Sequence, residues 1–325
     1  MVDWPTLTRS RTKRELYARE TYFREGLADA EEIAGGQLST VLHEGALLIV
    51  KPDGLASGQL LPVLDYLSEH GFTVAGARDL LFQPSHWREL WRYQLTSATL
   101  DRLAVNELVL GAGPALLMLL RSEPGHVLPG AVRLSALKGS ATLEAQKPGT
   151  LRSLLGQPNR ILSYVHVADE PADMVRELGL LLDPATRRAL LGSLVSGTSA
   201  PEDEDALGRA RERFAVPTRS LARADALERV TRAVEAAGSG PAADDARSWL
   251  KRMARNERVA WRPFLAALAA AGAQPDRWDL AVLGTYVIEY DEPGYSKVLT
   301  NPDTQSWESI PRPETSIDDR RRENA

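Results

Sequence analysis

Cysteine is missing from the 325-residue chain. That excludes disulfides, thiolate zinc sites and a cysteine nucleophile. Histidine is scarce as well. The five present, His43, His70, His86, His126 and His166, show no close metal-ligand spacing. No apolar run is long enough to span a bilayer. There is no basic excess either: the net charge is −5, which speaks against a dedicated nucleic-acid binder. The opening stretch, "MVDWPTLTRSRTKREL", is charged and lacks the apolar core of a secretory signal. The expectation is a cytoplasmic protein with no membrane and no nucleic-acid partner. What remains, 43% apolar and 26% charged residues, is ordinary for a globular chain long enough for two modest domains or one large one.

Along the chain, residues 1–44 are polar, with Leu16, Tyr17, Tyr22, Phe23 and Leu27 at loosely helical spacing. They predict a helical arm that packs on something else. Ala46 to Val50 is a wholly apolar run, as in a strand covered on both faces. Ser57 is expected to cap a helix through "GQLLPVLDYLSEHG", with Leu60, Val63, Leu64 and Leu67 on one stripe and Gly71 just past its end. Pro62 requires that helix to start late or bend. "FTVAGARDLLF" reads as a second strand. Two helical patterns follow, "PSHWRELWRYQL" and "SATLDRLAVNELVL", and then a strand, "GPALLMLLRS". Residues 123–137 are ambiguous. "KGSATLEAQKPGTLRSLLGQPN" reads as a long loop, a feature that is often functional. "RILSYVHV" is the expected fourth strand, and Asp169 or Glu170 caps the helix after it, with Pro171 near its first position.

This order is the α+β, ferredoxin-like split βαβ pattern: a four-stranded antiparallel sheet with helices, some of them inserted before the third strand. It spans 45–182. After Leu182 the composition shifts to Ala/Leu/Arg helices, predicting a mostly helical domain over 183–309 and a disordered tail over 310–325. Within that half, "SAPEDEDALG" reads as an exposed connector and "GTYVIEYDEPGY" as a strand.

The stretch "SYVHVADEPADMVREL" holds the candidate chemistry. A histidine is a useful nucleophile near neutral pH, where much of it is uncharged, but it needs a partner on its other ring nitrogen to fix tautomer and rotation. Glu177 falls about two turns into the helix beginning near Pro171. Helix side chains lean back toward the N-terminus, so it can reach His166 on the preceding strand. Lys51 in "KPDG" projects from a strand end, and Arg152 lies in the Gly/Pro-rich "KPGTLR". A lysine, an arginine and a histidine at strand and loop ends suit phosphoryl transfer, which needs charge neutralisation and positioning above all. Each has a plainer reading. Lys51 alone is a strand-end lysine, Arg152 a loop ion-pair partner, and Tyr93 a core residue of a Trp-rich helix. Glu177 alone is a surface glutamate beside Arg176 or Arg187. "PEDED" reads as a solvated turn, and Trp249, Trp261, Trp278 and Trp307 as core.

"LLIVKPDGLASGQL", "AGPALLML", "KPGTLR" and "HVADEPADMVREL", in that order, resemble the nucleoside diphosphate kinases over about Ala46–Leu181. The resemblance implies that His166 takes the terminal phosphate of a nucleoside triphosphate and passes it to a diphosphate. Glu177 then orients the ring, Lys51 and Arg152 hold phosphates, and Tyr93 lies beside the histidine. The departures are specific. The family's asparagine three residues before the histidine is Ser163, left to touch the ribose. The Gly-Ser after it is Val167-Ala168. A second phosphate-binding arginine falls on Ser135, with Arg133 as a substitute if the backbone shifts. A threonine falls on Ala141, with Ser140 and Thr142 beside it. No aromatic residue in "LDRLAVNEL" matches the one that stacks on the base. Each lost charged hydrogen bond costs about 1.5–3 kcal/mol, so nucleotide binding is expected to be weakened.

The resemblance further implies Mg²⁺ held mainly by nucleotide phosphates, nucleoside tri- and diphosphates as partners, and a homo-oligomer, here expected as a dimer. Two other readings stay open: a nucleotide-binding sensor or scaffold on the same fold, and a phosphohistidine protein kinase.

Overall fold

A computed structural model describes residues 2–300 and 304–308. The tail expected over 310–325 lies outside the described residues. The chain begins with four helices, α1 (Trp4–Leu7), α2 (Arg11–Tyr17), α3 (Thr21–Ala34) and α4 (Leu38–Glu44). The αβ part follows: β1 (Gly45–Val50), α5 (Pro52–Ala56), α6 (Leu60–Glu69), β2 (Phe72–Leu80), α7 (Pro84–Leu90), α8 (Leu100–Leu110) and β3 (Ala115–Ser122). Next come α9 (Gly130–Lys138), α10 (Leu151–Leu155), β4 (Val165–Val167) and α11 (Pro171–Leu181). The remainder is helical: α12 (Pro184–Ser196), α13 (Pro201–Arg213), α14 (Arg223–Ala236), α15 (Pro241–Ala254), α16 (Trp261–Ala270), α17 (Arg277–Val287) and α18 (Gln305–Glu308).

The sheet is antiparallel throughout, in the order β2-β3-β1-β4. The apolar runs of β1 and β3 occupy its centre, where side chains of both faces need cover. Leu48, Val50, Leu116 and Met118 point into a core shared with α6, α8 and the C-terminal helices, through Phe264, Leu283 and Ile288. Leu47, Ile49, Leu117 and Leu119 point into the opposite core, closed by Phe23 and Leu27 of α3, by α11, and by Leu190 and Leu194 of α12. The arm therefore covers one face of the sheet and the bundle covers the other.

Several local expectations are corrected. Ser57 caps no helix start. It ends α5, and its hydroxyl donates to the Asp53 carbonyl at 2.7 Å. The following helix starts at Leu60, so Pro62 falls in the first turn, where a backbone N–H would have no helical partner. Residues 123–137 conceal most of α9, and the long loop contains α10. "PEDED" is the first turn of α13, and its Asp203 is buried: it accepts from the Ala77 N–H at 3.1 Å and ion-pairs with Arg78. That carboxylate seals a bulge in β2, an edge strand, where the register shifts between Val74 and Gly76. "GTYVIEYDEPGY" is not a strand. Its start belongs to α17, and the rest runs past α8, forming a single bridge between Asp291 and Ala98. Trp261, Trp278 and Trp307 are buried, as their core reading requires.

Candidate active site

β4 is shorter than "RILSYVHV" suggests because the backbone turns sharply before it. Tyr164 has φ of 62°, a left-handed conformation that costs a non-glycine residue about 1–3 kcal/mol. Three contacts hold it there. Asp53, fully buried, accepts from the Tyr164 N–H at 2.9 Å; the Lys51 N–H donates to the Tyr164 carbonyl at 2.8 Å; and the Val165 N–H donates to the Ser163 carbonyl at 2.7 Å. Gly54 is needed beside this turn, since a Cβ there would stand 2.6 Å from the Tyr164 carbonyl oxygen. The "KPDG" segment thus serves as the brace that launches β4. His166 then pairs with Ile49 at the sheet edge, on the face toward α11.

The ring of His166 sits between two partners. Its Nε2 lies 2.9 Å from both carboxylate oxygens of Glu177, which is buried. Its Nδ1 is 3.3 Å from the indole Nε1 of Trp91, which packs edge-on with ring centroids 5.5 Å apart. An indole N–H only donates, and a carboxylate only accepts. Together they fix the tautomer with the proton on Nε2 and the lone pair on Nδ1. Neither Arg176 nor Arg187 takes Glu177: Arg176 pairs with Glu20, and Arg187 with Asp29.

His166 lines a cavity of about 240 Å³. Lys51, Ser140, Arg152 and Ser163 line it too, so five of the residues singled out from sequence converge there, with Glu177 behind them. Lys51 is buried; its ammonium donates to the Ile161 carbonyl at 2.8 Å and lies 3.4 Å from Asp53. Burial, reinforced by the charge of Arg152 and opposed by Asp53, holds its pKa below the ordinary 10.5. Arg152 donates to the Gly139 and Val165 carbonyls, and has no carboxylate in ion-pair range among the described residues. Burial pushes its pKa down to about 10.

Tyr93 and Arg133 are not brought to the cavity. The Tyr93 hydroxyl donates to Glu20 at 2.5 Å, and its pKa is pushed up to about 12 by burial and by that carboxylate. Trp91, two residues earlier in the same aromatic run, takes the place beside the histidine. Arg133 donates to the His70 carbonyl at 2.6 Å and stacks over Phe72, 4.3 Å from the ring centroid. It stands two residues from Ser135, hence about 200° round the helix, while Ser135 and Lys138, three residues apart, share the face toward Asp169. These two hold Asp169, at 2.5 Å and 2.9 Å to the same oxygen. Burial opposes ionisation of Asp169, but Lys138 and Ser135 outweigh it and keep the carboxyl well below its usual range.

Sequence reasoning also missed Asp53, Lys138, Arg102, Arg160, Asn106 and Lys297; the last five line the cavity. "KPDG" and "KGSAT" gave signals for the first two. Arg102 and Arg160 have none in their neighbours, and Lys297 arrives from the far end of the chain. Among the described residues no group of three or more His, Cys, Asp or Glu side chains could hold a metal ion. No described helix is long and apolar enough to cross a membrane.

Residues 44–186 match the family model for nucleoside diphosphate kinase. Among curated proteins, a thioredoxin domain-containing protein 3 homolog of Heliocidaris crassispina is 25% identical over 150 residues, which is 46% of this chain and 17% of that protein's length. Among solved structures, the nucleoside diphosphate kinase of Aquifex aeolicus is 22% identical, with a TM-score of 0.36, over 43% of this chain and 95% of the other. A nucleoside diphosphate kinase family protein from Babesia bovis is 18% identical, with a TM-score of 0.36, over 44% and 90% of the two chains. The NDP kinase of Pyrobaculum aerophilum is 17% identical, with a TM-score of 0.35, over 43% and 96%.

Proposed function

We propose that the nucleoside diphosphate kinase-like domain at residues 44–186 moves the terminal phosphate of a nucleoside triphosphate to a nucleotide acceptor by way of His166. The observation that carries this is the ring held between Glu177 and a cation-lined cavity, with its lone pair on Nδ1. In the first half-reaction an Nδ1–P bond forms as the bond between the terminal phosphorus and its bridging oxygen breaks, and the diphosphate leaves with that oxygen. In the second, the acceptor's terminal phosphate oxygen attacks the same phosphorus, and the N–P bond breaks. The developing imidazolium keeps its proton on Nε2, donated in a hydrogen bond to the Glu177 carboxylate, whose charge offsets the new positive charge.

The 3.3 Å bond from Trp91 is long and yields to an incoming phosphorus; the indole N–H is then free to donate to a phosphoryl oxygen. Lys51 and Arg152 supply fixed positive charge in a partly water-excluded site, where such charge acts most strongly. Ser163, Ser140 and Asn106 offer neutral donors and acceptors for sugar or base. Among the described residues Asp169 is the sole carboxylate lining the cavity, and it is already tied to Lys138, so the chain's donors suit a Mg²⁺ held by the ligand's phosphates. When bound, the ion supplies further neutralisation of the phosphate oxygens.

The test is incubation with γ-labelled ATP. Acid-labile, alkali-stable label on His166, removable by a nucleoside diphosphate, is the expected result; an unlabelled protein that binds ATP sinks the proposal. One observation favours a second reading. Trp91 occupies the lone pair of Nδ1, which suits a domain that binds nucleotide without turnover. Calorimetric binding with no label would select that sensor role.

A further inference from the structure

The cavity is not closed by the αβ part alone. The segment from Glu289 to Leu299, which leaves the end of α17, lies across the turn between α7 and α8. It is stitched there by main-chain bonds: Thr99 N–H to the Tyr290 carbonyl at 3.1 Å, Glu292 N–H to Ser97 at 2.7 Å and Val298 N–H to Tyr93 at 2.9 Å. Two hydroxyls add to these, Thr99 to the Glu289 carbonyl at 2.7 Å and Thr96 to Ser296 at 2.8 Å. Leu299 is buried beneath, among the residues of the arm-side core.

Two consequences reach the cavity. Asp291 takes Arg102 on one oxygen and Arg160 on the other, each at 2.6 Å, and so holds two guanidinium groups that would otherwise repel on one wall. Lys297 lines the mouth, and among the described residues it has no ion-pair partner. Partial desolvation at the mouth and the charges of Arg160 and Arg102 outweigh Asp291 and Asp169 and hold its pKa below the ordinary 10.5. Among the described residues, six cationic side chains line the cavity: Lys51, Lys138 and Arg152 on one side, Arg102, Arg160 and Lys297 on the other. The carboxylates engaged with them are Asp53, Asp169 and Asp291. Among the described residues three positive charges are left over, enough for a chain of phosphates rather than a single neutral group.

We infer that this strap is part of the ligand site: Lys297 contacts the polyphosphate chain of a nucleotide at the mouth, and Asp291 is a positioning residue that sets Arg102 and Arg160 beside it. The inference rests on the phosphotransfer reading for its ligand. It also accounts for the arginine missing at Ser135 and the outward turn of Arg133, since cations arrive instead from Arg102, Arg160 and the strap. The helical half is thereby a contributor to binding and not only a scaffold.

The experiment is titration calorimetry of the full chain with ADP and, separately, with inorganic tripolyphosphate. Lys297 is exposed and forms no ion pair with a described residue, so its substitution leaves the core untouched. Lys297→Ala should weaken both ligands about 5-fold at low salt, and Lys297→Glu about 30-fold. Lys297→Arg should restore most of the affinity, which a merely structural role would not require. The differences should shrink as added salt screens them. Wild-type affinity in Lys297→Glu, or no binding of either probe by the wild-type protein, overturns the inference. Lys297-dependent binding without label on His166 supports it while removing phosphotransfer; label on His166 with binding indifferent to Lys297 does the reverse.

Discussion

Lys13 and Lys51 are both buried lysines close to carboxylates, yet their surroundings push them in opposite directions. Lys13 sits behind α11, 2.6 Å from Glu170 and 2.6 Å from Asp173, with the Tyr17 hydroxyl donating to Asp173 at 2.7 Å. Burial opposes its charge, but the two carboxylates outweigh burial and raise its pKa. Lys51 faces the cavity with Asp53 at 3.4 Å and Arg152 nearby, and burial wins. The first cluster is internally complete and serves to fasten the arm to α11. The second sets one carboxylate, Asp53, against two cations, Lys51 and Arg152, a costly arrangement that a phosphate ligand would relieve.

The contrast can be broken most sharply at Lys13. Lys13→Met leaves Glu170 and Asp173 buried without their cation, and should lower stability by about 3–5 kcal/mol in a urea titration. A loss below about 1 kcal/mol, the size of a surface pair, would erase the difference between the two clusters. Glu177 lies between the regions and sharpens the comparison. Glu177→Gln should slow labelling of His166 about 100-fold or more, with the fold kept, because the imidazolium loses its counter-charge. In the cavity, Arg152→Met should weaken ADP binding by about 1.5–3 kcal/mol in calorimetry, while destabilising the protein less than Lys13→Met does.

The smallest effect concerns pH. Lys13, raised in the fold, contributes stability that is full below 10.5 and lost only as pH climbs through its higher folded value. Lys51 has the opposite sign. Between its depressed folded value and 10.5 the unfolded chain binds more protons, so its contribution to stability rises with pH across that window. Phosphate binding should pull a proton back onto it. Calorimetry in two buffers of different ionisation heat should therefore show proton uptake on ADP binding in the alkaline range, together with falling affinity as pH rises.

Much of the sheet was legible because β1 and β3 are central and apolar, β3 over Ala115–Leu120, and β2 is bounded by Gly71 and polar turns. β4 was not, since the left-handed turn at Tyr164 depends on Asp53, 111 residues away. His166 and Glu177 were readable from spacing, because a strand end and the helix after it are local partners. Tyr93 and Arg133 went astray for another reason: a shift of two residues reverses the side a residue faces, and sequence does not reveal that shift. The acidic start of α13 misled because Asp203 is buried by β2, a contact 126 residues distant. Lys297 and Asp291 had no local signal, since their meaning comes from a strap that returns across the fold.

Glu170 gives the molecule a clasp. Thr8, Arg9 and Lys13 hold this carboxylate from one extremity of the described chain, and Trp307 from the other, its indole N–H donating at 3.0 Å. The residue also stands at the head of the helix that carries Glu177. Trimming from either extremity would slacken the same knot, and the first thing to drift would be the tilt of the imidazole four residues before it.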